Sequence, residues 1–156
     1  MENERKTETF LYEDLGFPIM LVDCPMKKIF GEWILDINLA QLQIDTLHLL
    51  IHKSDPLNKD ELRFIRKYFE MTTTEFGKLA GVTHVAVLKW ESGQVSPTPT
   101  TEIYIRLFVL EKLRAKNDEI VKLYQDIRPA DLVKRRYSKS RHKPLRVKAK
   151  KLQTKK

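Results

Sequence analysis

Between Met71 and Gly93 the chain reads MTTTEFGKLAGVTHVAVLKWESG, and no other stretch limits its folding choices as much. Two short apolar-patterned runs flank Gly81, a residue type suited to the left-handed position that ends a helix. One helix is predicted from about Thr73 to Ala80. Thr83 is placed to N-cap the next, which Gly93 closes. Two helices joined by a tight, Gly-containing turn form the helix-turn-helix layout, in which the second helix is presented to a DNA major groove. Phe76, Val82, Val87 and Trp90 are expected to form the core between these helices, with Gly77 letting them approach closely. His84, Val85, Ala86 and Lys89 are left facing outward.

More helical patterning surrounds this stretch. Leu62, Ile65 and Phe69 recur at i, i+3 and i+7, predicting a helix from about Asn58 to Phe69. Beyond Pro97 and Pro99, Thr100 or Thr101 is expected to cap a helix that buries Ile103, Leu107, Leu110 and Leu113, and a last helix is expected from about Asp118 to Gln125. Ahead of these, residues 1–8 are polar and expected to fray. Phe17, Ile19 and Leu21, then Ile29, Trp33 and Leu35, predict two short strands with Asp23 to Lys27 as their turn. A helix follows, with Asn38 as N-cap, Leu39, Leu42, Leu47, Leu50 and Ile51 as its apolar residues, and Ser54-Asp55-Pro56 as its stop. The expected fold class is therefore mainly α. A helical domain of about five helices (56–133) follows a strand-strand-helix extension (1–55) and precedes a basic tail (134–156).

Charge separates that tail from the rest. From Lys134 to Lys156 there are twelve Lys or Arg and no Asp or Glu, which leaves seventeen basic and twenty-one acidic residues before it. A block of this kind repels itself, is expected to be unfolded alone, and seeks a polyanion. The plainer reading is a solvated tail that keeps the chain soluble. If about six of its charges met phosphates, deleting it would flatten the log–log salt dependence of duplex binding by roughly 5. Lys134, Arg135 and Arg136 are the candidate contacts at its start, and Tyr137 either stacks on a base or closes the ordered body.

Other classes are disfavoured. At 42% hydrophobic and 32% charged the composition is that of a soluble globular chain. No apolar run approaches the roughly 20 residues that span a bilayer, and MENERKTETF has acidic residues where a signal peptide is basic and then apolar. A cytoplasmic location and no membrane partner are expected. Cys24, the single cysteine, cannot form an internal disulfide and cannot build a structural zinc site, which typically takes four Cys or His ligands, so no structural metal is expected. His48 and His52 stand four apart and can share a helix face, but with no third ligand nearby they are read as structural or solvated. No metal and no cofactor are expected. With no HExxH, GxxxxGK or GxSxG pattern, no enzyme is expected either.

Two segments, PLNKDELRFIRKYFEMTTTEF from Pro56 to Phe76 and LAGVTHVAVLKWESG from Leu79 to Gly93, resemble the lambda-repressor-like, Xre/Cro-type helix-turn-helix family. Within it they are most similar to the C-terminal domain of MqsA/YgiT-type antitoxins, over about residues 57–113. The resemblance implies that Arg66 pairs with Glu91 and reaches a phosphate; the plainer alternative is a surface ion pair of about 0–1 kcal/mol. It implies that Thr72 and Thr73 hold a phosphate at a helix start, although the family commonly has Gln at the position of Thr73. His84, Val85, Ala86 and Lys89 would face base edges, with Thr83 and Ser92 near the DNA backbone. Lys89 would donate to guanine, and Val85 or Ala86 would touch a thymine methyl. Trp90, Glu91 and Gly81 would serve structure, while Leu88 departs from the small polar residue usual there. The family's two CxxC pairs are missing, so toxin neutralisation by a zinc domain does not carry over. The implied function is a dimeric, sequence-specific repressor of double-stranded DNA that controls its own operon and associates with the nucleoid. The alternatives are an antitoxin that binds a cognate toxin through the N-terminal segment, or a tail-driven, non-specific nucleic-acid binder.

Overall fold

The computed structural model describes residues 4–114, 117–127, 132 and 143–154. Along them run β1 (Arg5–Tyr12), β2 (Ile19–Ile29), β3 (Glu32–Leu35), α1 (Leu39–His52), α2 (Lys59–Tyr68), α3 (Thr73–Ala80), α4 (His84–Ser92), α5 (Pro99–Lys112), α6 (Asn117–Asp126), β4 (Leu145–Lys148) and a 3-10 turn at Ala149–Leu152. They form two compact units, Met1–Thr46 with Lys143–Lys156, and Leu47–His142. The expectation of a mainly α chain is thereby corrected: the described residues hold a four-stranded mixed sheet as well as six helices, and the class is α/β.

In the first unit β2 is the central strand. β1 pairs antiparallel along one edge, from Arg5 opposite Lys27 to Tyr12 opposite Ile19. The other edge is shared end to end, with Ile19–Val22 taking β4 in parallel and Met26–Ile29 taking β3 antiparallel. The turn expected at Asp23 to Lys27 is a bulge inside one continuous strand. Asp23 has φ +50° and its N–H donates to Thr9 Oγ1 at 3.0 Å, which absorbs the extra residue without ending the pairing. The true hairpin loop is Phe30-Gly31, both at positive φ as a two-residue primed turn requires.

Residues 5–8, expected to fray, belong to β1, and residues 143–154, expected within an unfolded tail, hold β4 and the 3-10 turn. The physical reason is an alternation within the charge. Leu145, Val147 and Ala149 interleave with Arg146, Lys148 and Lys150, so the apolar set turns inward while the basic set stays in water. Val147, Ala149 and Leu152 are buried, as are Ile19, Leu21, Met26, Ile37 and Leu42 of the same unit. Asp36 clamps the segment. It accepts from the Thr154 hydroxyl and from Gln153 Nε2 at 3.3 Å, lies 3.5 Å from Lys27 Nζ, and its backbone C=O accepts from Thr154 N–H. The Thr154 hydrogen bond, helped by Gln153 and Lys27, holds the Asp36 carboxyl below the usual carboxylate range against the upward push of burial. Cys24 is buried in this unit, and burial, with Glu8 adding to it, pushes its thiol up to about 11, far from the reactive thiolate.

The second unit is helical, and its helix starts are set by side chains. Asn58 and Glu61 form a reciprocal capping box on α2. Thr98, not Thr100 or Thr101, caps α5, because Pro99 takes the first turn, where its missing N–H costs nothing. Leu62, Phe64, Ile65, Ile103, Ile105, Val109 and Leu110 are buried, whereas Leu107 and Leu113 of the expected stripe are only half-buried. Arg106 and Glu102 are both fully buried on α5 and pair at 2.9 Å. The Arg106 guanidinium also donates to the carbonyls of Ile51, Lys53 and Asp55, and Glu102 Oε1 accepts from Leu57 N–H at 3.0 Å. This one pair supplies hydrogen-bond partners to the connection between α1 and α2.

Candidate nucleic-acid interface

The geometry of α3 and α4 follows from local residue choices. Thr72 Oγ1 accepts from Glu75 N–H while the Glu75 carboxylate accepts from Thr72 N–H, which starts α3. Gly81 ends it at φ +72°. Thr83 Oγ1 accepts from Ala86 N–H to start α4, and Gly93 ends that helix at φ +81°. The helices then meet face to face, with the rings of Phe76 and Trp90 edge-on at 6.4 Å and Val87 fully buried. Val82 is half-buried. Gly77 is required by space, since a Cβ there would lie 2.8 Å from the Val82 carbonyl oxygen. Gly77→Ala is expected to force the α3–α4 turn apart and cost about 1–3 kcal/mol, as overpacking does. An unchanged thermal midpoint would show that the turn yields freely.

An ion network locks α4 to α2. Arg66 Nε and Nη2 both donate to the Glu91 carboxylate, at 2.9 Å for the shortest contact, and Nη1 donates to the Met71 carbonyl. Arg63 adds a 2.7 Å bond from Nη2 to the Glu91 carbonyl, a contact the sequence reading did not anticipate. Glu91 and Trp90 are buried, and Arg66 is 15% exposed. The Arg66–Glu91 pair expected from the resemblance is formed. All three guanidinium nitrogens of Arg66 are engaged within the unit, so its geometry is that of a strut.

With Val87, Trp90 and Glu91 turned inward, α4 presents Thr83, His84, Val85, Lys89 and Ser92 as exposed residues and Ala86 as half-buried. Leu88 is 52% exposed on the same outer surface. The free N–H groups of the first turn add a positive end to the helix. Thr72 is exposed and Thr73 half-buried at the start of α3. The Ser92 hydroxyl donates to the Lys89 carbonyl within its own helix. Lys134, Arg135, Arg136 and Tyr137 lie outside the described residues.

The structure also assembles a group that the sequence scattered. His48 and His52 on α1 and Glu119 on α6 each bring one ligand-type atom into a cluster in which all lie within 4.8 Å of one another. Burial pulls the His52 imidazole below its ordinary value. Glu119 opposes that shift, as Asp126 does, while His48 and Lys122 add to it.

Among the described residues no helix is long and apolar enough to cross a membrane. Comparison with protein-family models, with curated proteins and with solved structures finds no match.

Proposed function

We propose that this chain is a sequence-specific, double-stranded DNA-binding transcriptional regulator that reads the major groove with α4 and represses as a homodimer. One observation carries the reading. The outer surface of α4 offers an imidazole, an ammonium and two apolar groups from the first two turns of a capped helix, while its inner surface is buried and its far end is tied down through Glu91. A rigid helix with chemically mixed, exposed N-terminal positions suits base-edge recognition, in which lysine meets guanine O6 or N7 and small apolar groups meet the thymine methyl. The resemblance of residues 56–93 to Xre/Cro-type domains supports the same reading. A single short helix contacts only a few base pairs, and pairing two modules across one turn of DNA supplies the remaining specificity.

Selection of bound sequences from a random duplex library with the full chain is the test. An enriched motif with two-fold repetition is expected, and enrichment of no motif would overturn the proposal. On the selected duplex, Lys89→Ala is expected to weaken binding by about 1–3 kcal/mol and to leave binding to unrelated duplex nearly intact. Equal losses on both would remove Lys89 from base reading.

A further inference from the structure

His48 and His52 sit four residues apart on α1, so both rings project from one face of the helix. Glu119, far away in sequence, comes from α6 to the same place. The three ligand-type atoms lie within 4.8 Å of one another, and each residue is part-buried. A tetrahedral ion bound at roughly 2.0–2.1 Å sets its ligand atoms about 3.3 Å apart, so small side-chain rotations would close the shell. A second observation is independent of that spacing. Among the described residues, buried Glu119 Oε2 has no hydrogen-bond partner, an unusual condition for a carboxylate oxygen. Lys122 and Asp126 also face His52, one opposing a cation and the other favouring it.

We propose that His48, His52 and Glu119 form a binding site for a divalent transition-metal ion of the zinc, cobalt and nickel class, which staples α6 to α1. Two imidazoles and a carboxylate suit these borderline ions, whereas magnesium and calcium prefer shells made of oxygen. Three protein ligands leave a fourth position for water or a small anion. Bound there, the ion gives the orphaned Glu119 oxygen its missing partner. The proposal does not depend on the DNA-binding reading.

Titration of the metal-free full chain with Zn2+ by calorimetry, and with Co2+ by visible absorption and NMR, tests it. One equivalent of Zn2+ is expected to bind at micromolar protein, Co2+ is expected to give a tetrahedral-type spectrum, and the His48 and His52 ring protons are expected to show large paramagnetic shifts. His48→Gln, His52→Gln and Glu119→Gln are each expected to weaken binding by about 100-fold or more, above the usual effect of losing an outer partner. Asp118→Asn, on the exposed side of α6, is expected to leave binding intact. Absence of stoichiometric binding, or Co2+ shifts confined to other residues, would overturn the proposal. The paramagnetic shifts are read on the unaltered chain, so the result stands even if a substitution disturbs folding.

Discussion

Removing residues 143–156 is expected to unfold the sheet unit. Val147 and Leu152 are buried there, and burying each is worth about 1.5–3 kcal/mol, so their joint loss is comparable to the whole net stability of a small domain. The deletion also strips the ladder partner from Ile19–Val22 and every hydrogen bond that Thr154 and Gln153 make to Asp36. Amide exchange should show lost protection in β2. Native protection throughout β2 after the deletion would show that β4 contributes nothing. Acid should loosen the same segment. The Asp36 carboxyl is held below its unfolded value, so its contribution is present above that value, near 4, and disappears as pH falls through the folded one. A shortened chain is consequently a poor instrument for isolating the tail's charge, because it removes a strand together with the lysines.

Replacing Glu102 by Ala is expected to destabilise the helical unit by about 3–5 kcal/mol, since the Arg106 cation would remain fully buried without its counter-charge. Burial already pushes the Glu102 carboxyl upward against the pull of Arg106 and the Leu57 N–H. The pair is therefore held by its geometry, and Ala would also leave the Leu57 N–H without an acceptor. Glu102→Gln keeps the side chain's volume and one acceptor oxygen, enough for one of the two neighbours, and should cost less than Ala. Urea unfolding of both variants measures the difference, and equal midpoints for wild type and Glu102→Ala would show that solvent reaches Arg106 freely.

The parts of this molecule that could be read in the sequence are those whose cause is local. Thr72, Gly81, Thr83 and Gly93 announce the ends of α3 and α4 because capping and left-handed termination are decided within four residues. The sheet is hidden from the sequence for the opposite reason. The first half of β1, Arg5–Glu8, is all polar, and its place depends on partners some fifteen residues away or more, as with Glu8 opposite Cys24. Cys24-Pro25 reads as a turn because proline commonly breaks a strand, and only the positive φ of Asp23 with the Thr9 hydroxyl shows how the strand continues. β4 carried a visible signal, the alternation of LRVKAK, which the density of positive charge obscured. Glu119 could not be paired with His48 and His52 from sequence, since only tertiary packing brings α6 there.

The sharing of one edge of β2 between β3 and β4 has a kinetic meaning. β3 follows β2 after the two-residue loop Phe30-Gly31, so that hairpin closes quickly and at little entropic cost. Leu145 must find Ile19 across most of the length of the chain, and closing so long a loop is slow. While the chain is being synthesised, β2 emerges long before β4 exists, and its Ile19–Val22 edge stays open in the meantime. An unpaired apolar strand edge is a template for other chains. The interval between making β2 and making β4 is thus the period in which this protein is most exposed to aggregation, and anything that stalls synthesis in the stretch between them would prolong it.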